Sequence, residues 1–427
     1  MTGHGAGLDL AASDRVDAAR SATDAAPWHH PAAYWARLTE ATAHLDAPIG
    51  VLHIGALRAN AHDLVRRAGG TPIRVASKSL RVRGVLEALD RLPGYGGVLA
   101  YTLAEALWLV ERGTADDVVV GYPTADRGAL RRLASDAEAA AKVAIMVDSV
   151  DQLDLVDAVL APGRREAVRV CLELDASWRA PVLGHVGVRR SPVHSAQEAG
   201  ALAAAIASRP GFRLVGLMAY EAQVAGIADR PTGRPVAGVV NRWMKSRSMP
   251  ELVERRALAV AAVRERAELE FVNGGGTGSI EATAADPSVT EVAAGSGLFA
   301  GHLFDRYAAF TPAPAAAFAL DVVRSPGPDH ATLLGGGWVA SGPSGHDRLP
   351  RVAWPEGLRM LPREGAGEVQ TPLAGRAAGR LRAGDRVWLR HAKSGELAEH
   401  VDAYVLVDDG RVVGELPTYR GEGRAFL

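Results

Sequence analysis

The residues able to do chemistry stand at two places far apart in the chain. Lys78 ends the short apolar run Ile73-Arg74-Val75-Ala76-Ser77-Lys78-Ser79, and much later comes Asn273-Gly274-Gly275-Gly276-Thr277-Gly278-Ser279. A lysine just past a strand offers an amine at the strand's end, and partial desolvation or neighbouring cations make that amine a nucleophile. The glycines let backbone N–H groups approach an anion, Thr277 and Ser279 add hydroxyl donors, and a helix starting near Ser279 adds its positive end. Gly295-Ser296-Gly297 follows the next apolar run and can complete the cradle. Alone, Lys78 reads as a surface lysine, while for the glycines a flexible loop is the lesser alternative to an anion site. Together they ask for a cofactor carrying both an aldehyde and a phosphate, which is pyridoxal 5′-phosphate.

Such residues need elements to hold them. Apolar runs at 49–54, 73–77, 97–101, 117–122, 142–148, 168–175, 213–220, 269–274 and 290–297 read as strands. Most of the stretches between them read as helices, most clearly Leu103 to Glu111 and Asp126 to Glu138. This alternation predicts a parallel sheet closed by crossover helices, a (β/α)8 TIM-like barrel. Nine strands is one too many, so Ile49–Ile54 is assigned to a second domain. In a barrel the C-terminal strand ends share one mouth, which is where Lys78 and the glycine run fall.

After about residue 310, Pro and Gly multiply and β-rich runs replace the helical period: Ala317–Val323, Ala331–Leu334, Arg386–Leu389, Ala403–Val407 and Arg411–Leu416. The predicted organisation is a loose tail at 1–25, a cofactor-binding barrel at 45–310 and a C-terminal antiparallel β domain at 311–427. Glu221 to Pro250 reads as a long irregular stretch with Trp243, either a cover over the mouth or a disordered segment.

Composition narrows the function. In 427 residues, Lys+Arg 48 balance Asp+Glu 49, which gives no reason to expect nucleic acid or a membrane surface as partner. A single cysteine, Cys171, allows no internal disulfide and fits a reducing compartment. No apolar run is long enough for a bilayer, and the first residues lack a signal peptide's apolar core, so a cytoplasmic location is expected.

Arg58-Ala59-Asn60, Ile73–Lys78, Tyr101-Thr102 with Glu105, Gly216-Leu217-Met218-Ala219-Tyr220-Glu221 and Gly274–Gly278 together resemble the alanine-racemase-like pyridoxal-phosphate enzymes of fold type III. Within that group the chain looks most similar to the D-threonine aldolase and D-serine dehydratase branch, which includes amino acid deaminase/aldolases. The resemblance runs from about residue 45 to the end. It implies a barrel followed by a β domain into which the N-terminal strand packs. Lys78 would be the Schiff-base lysine, Tyr220 a neighbour of the cofactor ring, and Gly275, Gly276 and Thr277 the phosphate site; core packing remains an alternative for Tyr220.

Two positions depart from the pattern. Gly184–Pro192 matches the loop at the pyridine edge, but His185 stands where relatives carry arginine. It is either a weakly basic partner of the ring nitrogen or a turn cap. Relatives also carry a late His-x-Cys or His-x-Asp pair that binds a divalent metal, Mn or Zn. Here His391 is followed by Lys393, and an ammonium repels a cation rather than ligating it. Glu396, Glu399 or His400 could supply the missing ligand, or the run is a solvated loop.

The resemblance implies a lyase acting on a small β-hydroxy-α-amino acid of D configuration, by retro-aldol cleavage or dehydration through a Schiff base with the substrate. His391 and Lys393 are the acid–base candidates. The rivals are a racemase, which would need a second base such as a tyrosine from the partner's β domain, though neither Tyr404 nor Tyr419 sits in that motif's context, and a cofactor carrier without turnover. A head-to-tail homodimer is implied, with the site between one chain's barrel and the other's β domain.

Overall fold

The computed structural model describes residues 8–11, 26–181 and 183–427. Eight parallel strands close a barrel in the order Ile73–Ala76, Tyr95–Ala100, Val118–Val120, Val143–Val147, Val168–Glu173, Phe212–Ala219, Phe271–Gly274 and Glu291–Ala294. The last returns to the first through Val292 opposite Ile73 and Ala294 opposite Val75. Val118–Val120 and Val143–Val147 are buried at every position, the pattern of strands covered on both faces. The barrel interior is filled by Val119, Ala144, Met146, Cys171, Val215, Met218 and Phe271. Gly216 makes room for Phe271, since a Cβ there would stand 2.2 Å from its ring.

The helix Leu103–Glu111 matches its predicted bounds and starts at Thr102, whose hydroxyl accepts the Glu105 N–H at 3.1 Å. The stretch 126–138 splits into Arg127–Ser135 and Ala137–Lys142. Asp136 causes the break: its carboxylate accepts the N–H groups of Glu138 and Ala139, which starts a new helix there. The stretch from Glu221 to Pro250 is not irregular. It forms the short helix Ala222–Ala225 and most of the long helix Pro235–Arg264, with Pro250 inside it. Pro250 interrupts the ladder and hides the continuity of this helix, although Val236, Val239, Val240 and Trp243 recur at helical spacing, on a face that is exposed. Packing against the helix Ala196–Ala207, where Gly200 admits Ala262, holds it instead.

Among the described residues the second sheet has nine strands. Ile49–His53 lies within it, antiparallel to Ala316–Gly327 and parallel to Ala403–Asp408. The sheet is therefore mixed at that place rather than wholly antiparallel. Arg351–Trp354, Arg359–Met360 and Gln370–Ala374 are further strands that the sequence reading lacks, all partly exposed and without clean alternation. Of the segment expected to be loose, Leu8 and Leu10 are buried, and Arg91 donates to the Leu8 carbonyl at 3.0 Å; residues 1–7 and 12–25 lie outside those described. No described helix is long and apolar enough to cross a membrane.

Sheet and barrel meet at the lysine. Gly395, at φ +90°, passes so close to the Lys78 carbonyl that a Cβ would lie 2.0 Å from its oxygen. Next to it, Ser394 Oγ donates to the Ser296 carbonyl at 2.8 Å. The loop following the sheet strand Arg386–Arg390 is thus seated on the turn that carries Lys78.

Candidate active site at the barrel mouth

A cavity of about 640 Å³ opens at the C-terminal strand ends, lined by barrel residues and by loops of the sheet in the same chain. Lys78 sits on the turn Ser77–Ser79, immediately beyond Ile73–Ala76. Its Nζ donates to Tyr122 Oη at 2.7 Å. Tyr122 stands two residues beyond Val118–Val120, the same offset that Lys78 has from Ala76. Arg190 lies over the rings of both Tyr122 and Tyr220, at 5.0 and 4.8 Å, and is held by Glu173 at 3.2 Å. Burial alone would raise the Tyr122 pKa; Lys78 and Arg190 outweigh it and hold the phenol below its ordinary value. Tyr220 is half-buried, and the loss of solvent around it pushes its pKa up to about 12, so it remains a neutral phenol at pH 7.

The two glycine loops come together beside Lys78. Gly297 N–H donates to Thr277 Oγ1 at 3.0 Å, and Ser296 Oγ lies 2.9 Å from Ser79 Oγ. Gly295 is needed for this approach, because a Cβ would sit 2.5 Å from the Ala76 carbonyl oxygen. Ser279 does not serve the cradle as expected: its hydroxyl donates to Glu221 at 2.8 Å and accepts the Gly276 N–H. Gly275 N–H also donates to Glu221, at 3.2 Å. Glu221 is fully buried, pairs with the equally buried Arg256, and Arg256 reaches Asp286 at 2.7 Å. This network is the frame of the glycine loop. No acceptor among the described residues takes the N–H groups of Thr277 and Gly278. Those donors, the Thr277 hydroxyl and the Gly295–Gly297 loop fit a phosphate, and Lys78 fits the aldehyde of the same cofactor.

Other candidates lie elsewhere. His185 is on the hairpin Trp178–Ala180 and Gly184–Val186, opposite Arg179, and does not line the cavity. Its Nε2 is buried without a partner. His391 is buried beside Gly301, outside the cavity lining, with Nδ1 unpartnered and Nε2 3.4 Å from Ser394 Oγ. Burial, with Arg390 and His302 nearby, pushes its pKa down to about 3. Lys393 does line the cavity, and its Nζ donates to Ser341 Oγ at 3.0 Å.

A divalent metal does not fit these residues. Glu399 is paired with Arg81, Glu396 accepts from Ser341, and His400 stacks on Trp338 at 5.0 Å. No group of three or more His, Cys, Asp or Glu side chains among the described residues could hold an ion. The sequence reading missed Tyr122, Ser341, Arg348 and the Glu221 frame. For Tyr122 a signal existed in its offset from a strand end; for the others, which lie in loops or belong to the core, none did.

A parallel barrel with a lysine and two glycine loops at one mouth, followed by a mostly antiparallel sheet, defines a fold type III pyridoxal-phosphate protein. Residues 52–302 match the family model of the alanine racemase N-terminal domain, and the chain belongs to that family of pyridoxal-phosphate enzymes. No curated protein matches the sequence. Among solved structures, D-threonine aldolase from Filomicrobium marinum is similar at TM-score 0.72 and 21% identity, over 89% of this chain and 96% of that one. D-threo-3-hydroxyaspartate dehydratase from Delftia sp. HT23 is similar at TM-score 0.62 and 21% identity, over 90% and 98%. An alanine racemase-like protein from Idiomarina loihiensis gives TM-score 0.64 at 16% identity, over 88% and 97%. At these identities the likeness is one of fold.

Proposed function

We propose that this chain is a pyridoxal-phosphate-dependent lyase that cleaves or dehydrates a β-hydroxy-α-amino acid of D configuration. One observation carries the reading: a single cavity joins Lys78 and its Tyr122 partner to the glycine cradle and to a polar wall supplied by the sheet. The fold likeness to a D-threonine aldolase and a D-threo-3-hydroxyaspartate dehydratase supports it. The cofactor would be held by Lys78, by Thr277 and Gly278, and by the Gly295–Gly297 loop, with Tyr220 and Arg190 beside its ring. When bound, it supplies an electron-withdrawing ring that labilises bonds at the substrate's Cα.

The chain's own residues do the rest. Tyr122 takes a hydrogen bond from Lys78 Nζ and so aims the amine at the cavity, where it must act as a nucleophile. Lys393 is the acid–base candidate that faces the cavity, so it, rather than His391, is assigned to the substrate's β-hydroxyl. Ser341 positions Lys393, and Glu396 in turn holds Ser341. No step is assigned to a metal.

The racemase reading gains nothing from Tyr404 and Tyr419. Both are buried outside the cavity lining, and Tyr419 donates to Glu105 at 2.9 Å. A head-to-tail homodimer and a cytoplasmic location belong to the same proposal; part of the expected β-domain wall comes from the same chain as Lys78.

The test is a product assay with purified protein loaded with pyridoxal phosphate. Acetaldehyde and glycine from D-threonine mean aldol cleavage, and a 2-oxo acid with ammonia means dehydration. Interconversion of D- and L-alanine without either product would overturn the lyase reading.

A further inference from the structure

The cavity carries five cationic side chains, and their partners separate them. Arg81 is paired with Glu399 and Arg190 with Glu173, while Lys78 is committed to the cofactor. Lys393 is bonded to a hydroxyl, that of Ser341. Arg348 is the remaining one. It ends the turn His346–Arg348, and its backbone is fixed by Arg348 N–H to Gly345 O at 3.0 Å and by Ala340 N–H to Arg348 O at 2.8 Å.

The Arg348 guanidinium lies flat against the loop it belongs to: a Cβ on Gly342 would stand 3.5 Å from Cζ. Its Nε is buried without a hydrogen-bond partner, and the nearby acid, Asp347, is 3.7 Å away and mostly exposed. A buried guanidinium N–H left unsatisfied is costly, and costly groups of this kind persist where a ligand completes them. Arg348 and Lys393 also face the same space as Lys78, and these three cations outnumber the two acids of the lining, Asp347 beside Arg348 and Glu396 beside Lys393. An anion there relieves both conditions.

We propose that Arg348 binds the α-carboxylate of the amino acid substrate and so selects amino acids over other primary amines. This rests on the proposed reading of the cavity as an amino acid site. The division of work between the two cations follows from their shapes. A planar guanidinium matches a carboxylate with two parallel hydrogen bonds, whereas an ammonium is a point charge with transferable protons. Arg348 therefore takes the carboxylate, and Lys393 stays with the hydroxyl chemistry.

The experiment measures binding of D-alanine and of D-alaninol, its alcohol analogue, to the cofactor-loaded protein by calorimetry and by the cofactor's absorbance. Neither ligand has a β-hydroxyl beside an α-carboxylate, so the result does not depend on lyase turnover. The wild type is expected to prefer D-alanine. Arg348→Gln should weaken D-alanine by about tenfold or more, the worth of a lost charge-assisted pair, and leave D-alaninol unchanged. Arg348→Lys should fall between, since it keeps the charge but not the fork; it also serves if the Gln variant folds poorly. Equal losses for both ligands, or no wild-type preference, would overturn the assignment. If the preference follows Arg348 while D-serine and D-threonine give no product, the carboxylate site stands and the lyase reading fails.

Discussion

The cavity has two walls built on different principles. On the barrel side, Lys78, Tyr122, Tyr220, Gly275 and Gly295 each stand within two residues of a strand end, so one hydrogen-bonded ladder sets their spacing. On the sheet side, Ser341 and Lys393 meet across 52 positions of sequence, and both they and Arg348 project from loops seated by contacts such as Gly395 on Lys78. The barrel wall is thus rigid and suited to a cofactor common to many reactions. The sheet wall is assembled by docking, and under the proposed function it is the wall that would meet the substrate. Lys393 and Arg348 belong to the second wall, and so does the lack of a fitting metal site.

Removing the reactive amine should have the largest effect. Lys78→Ala is expected to abolish the lysine-dependent absorbance of the bound cofactor and to lower turnover by about a thousandfold or more. Retention of both would mean that the barrel wall does not hold the cofactor.

The next test concerns what lies beneath that wall. Glu105 is fully buried, accepts the Tyr101 N–H at 2.8 Å and the Tyr419 hydroxyl, and lies next to Ser77. Burial outweighs these hydrogen bonds and raises its pKa from 4.5 to about 7. A raised carboxyl pKa means that the folded state prefers the proton. The site's stabilising contribution is therefore full below 4.5 and is lost as pH rises through 7. Between about pH 5 and about pH 8 the wild type should lose about 2–3 kcal/mol more unfolding free energy than Glu105→Gln, measured by urea denaturation. Parallel curves for the two proteins would show that Glu105 is not the titrating group.

The smallest effect is expected from metal removal. With Lys393 in the sheet wall, EDTA treatment should leave turnover and melting temperature unchanged, and elemental analysis should find no stoichiometric Mn or Zn. A drop restored by Mn²⁺ would mean that the sheet wall rearranges to admit an ion.

Legibility in the sequence follows the same division. The strand runs, Leu103–Glu111, Lys78 and the glycine loops announce themselves through local period and composition. Tyr122 was within reach by its offset from a strand. The helix Pro235–Arg264 was obscured by Pro250 inside it, although Val236, Val239, Val240 and Trp243 recur at helical spacing. The use of Ser279 and Gly275 by Glu221 was also hidden, since a hydroxyl in a glycine loop looks the same whether it serves a phosphate or a buried carboxylate.

By itself, the sequence determined the barrel, the sheet that follows it, the strand-end amine and the glycine cradle. These depend on the two-residue and 3.6-residue periods and on glycine's backbone freedom, all of them local properties. Only the tertiary structure decided that His391 turns away from the cavity while Lys393 enters it, that Tyr122 meets Lys78, and that Arg348 completes the far wall. Those outcomes depend on how distant loops pack against one another, and a one-residue step along a loop changes which side chain faces the substrate.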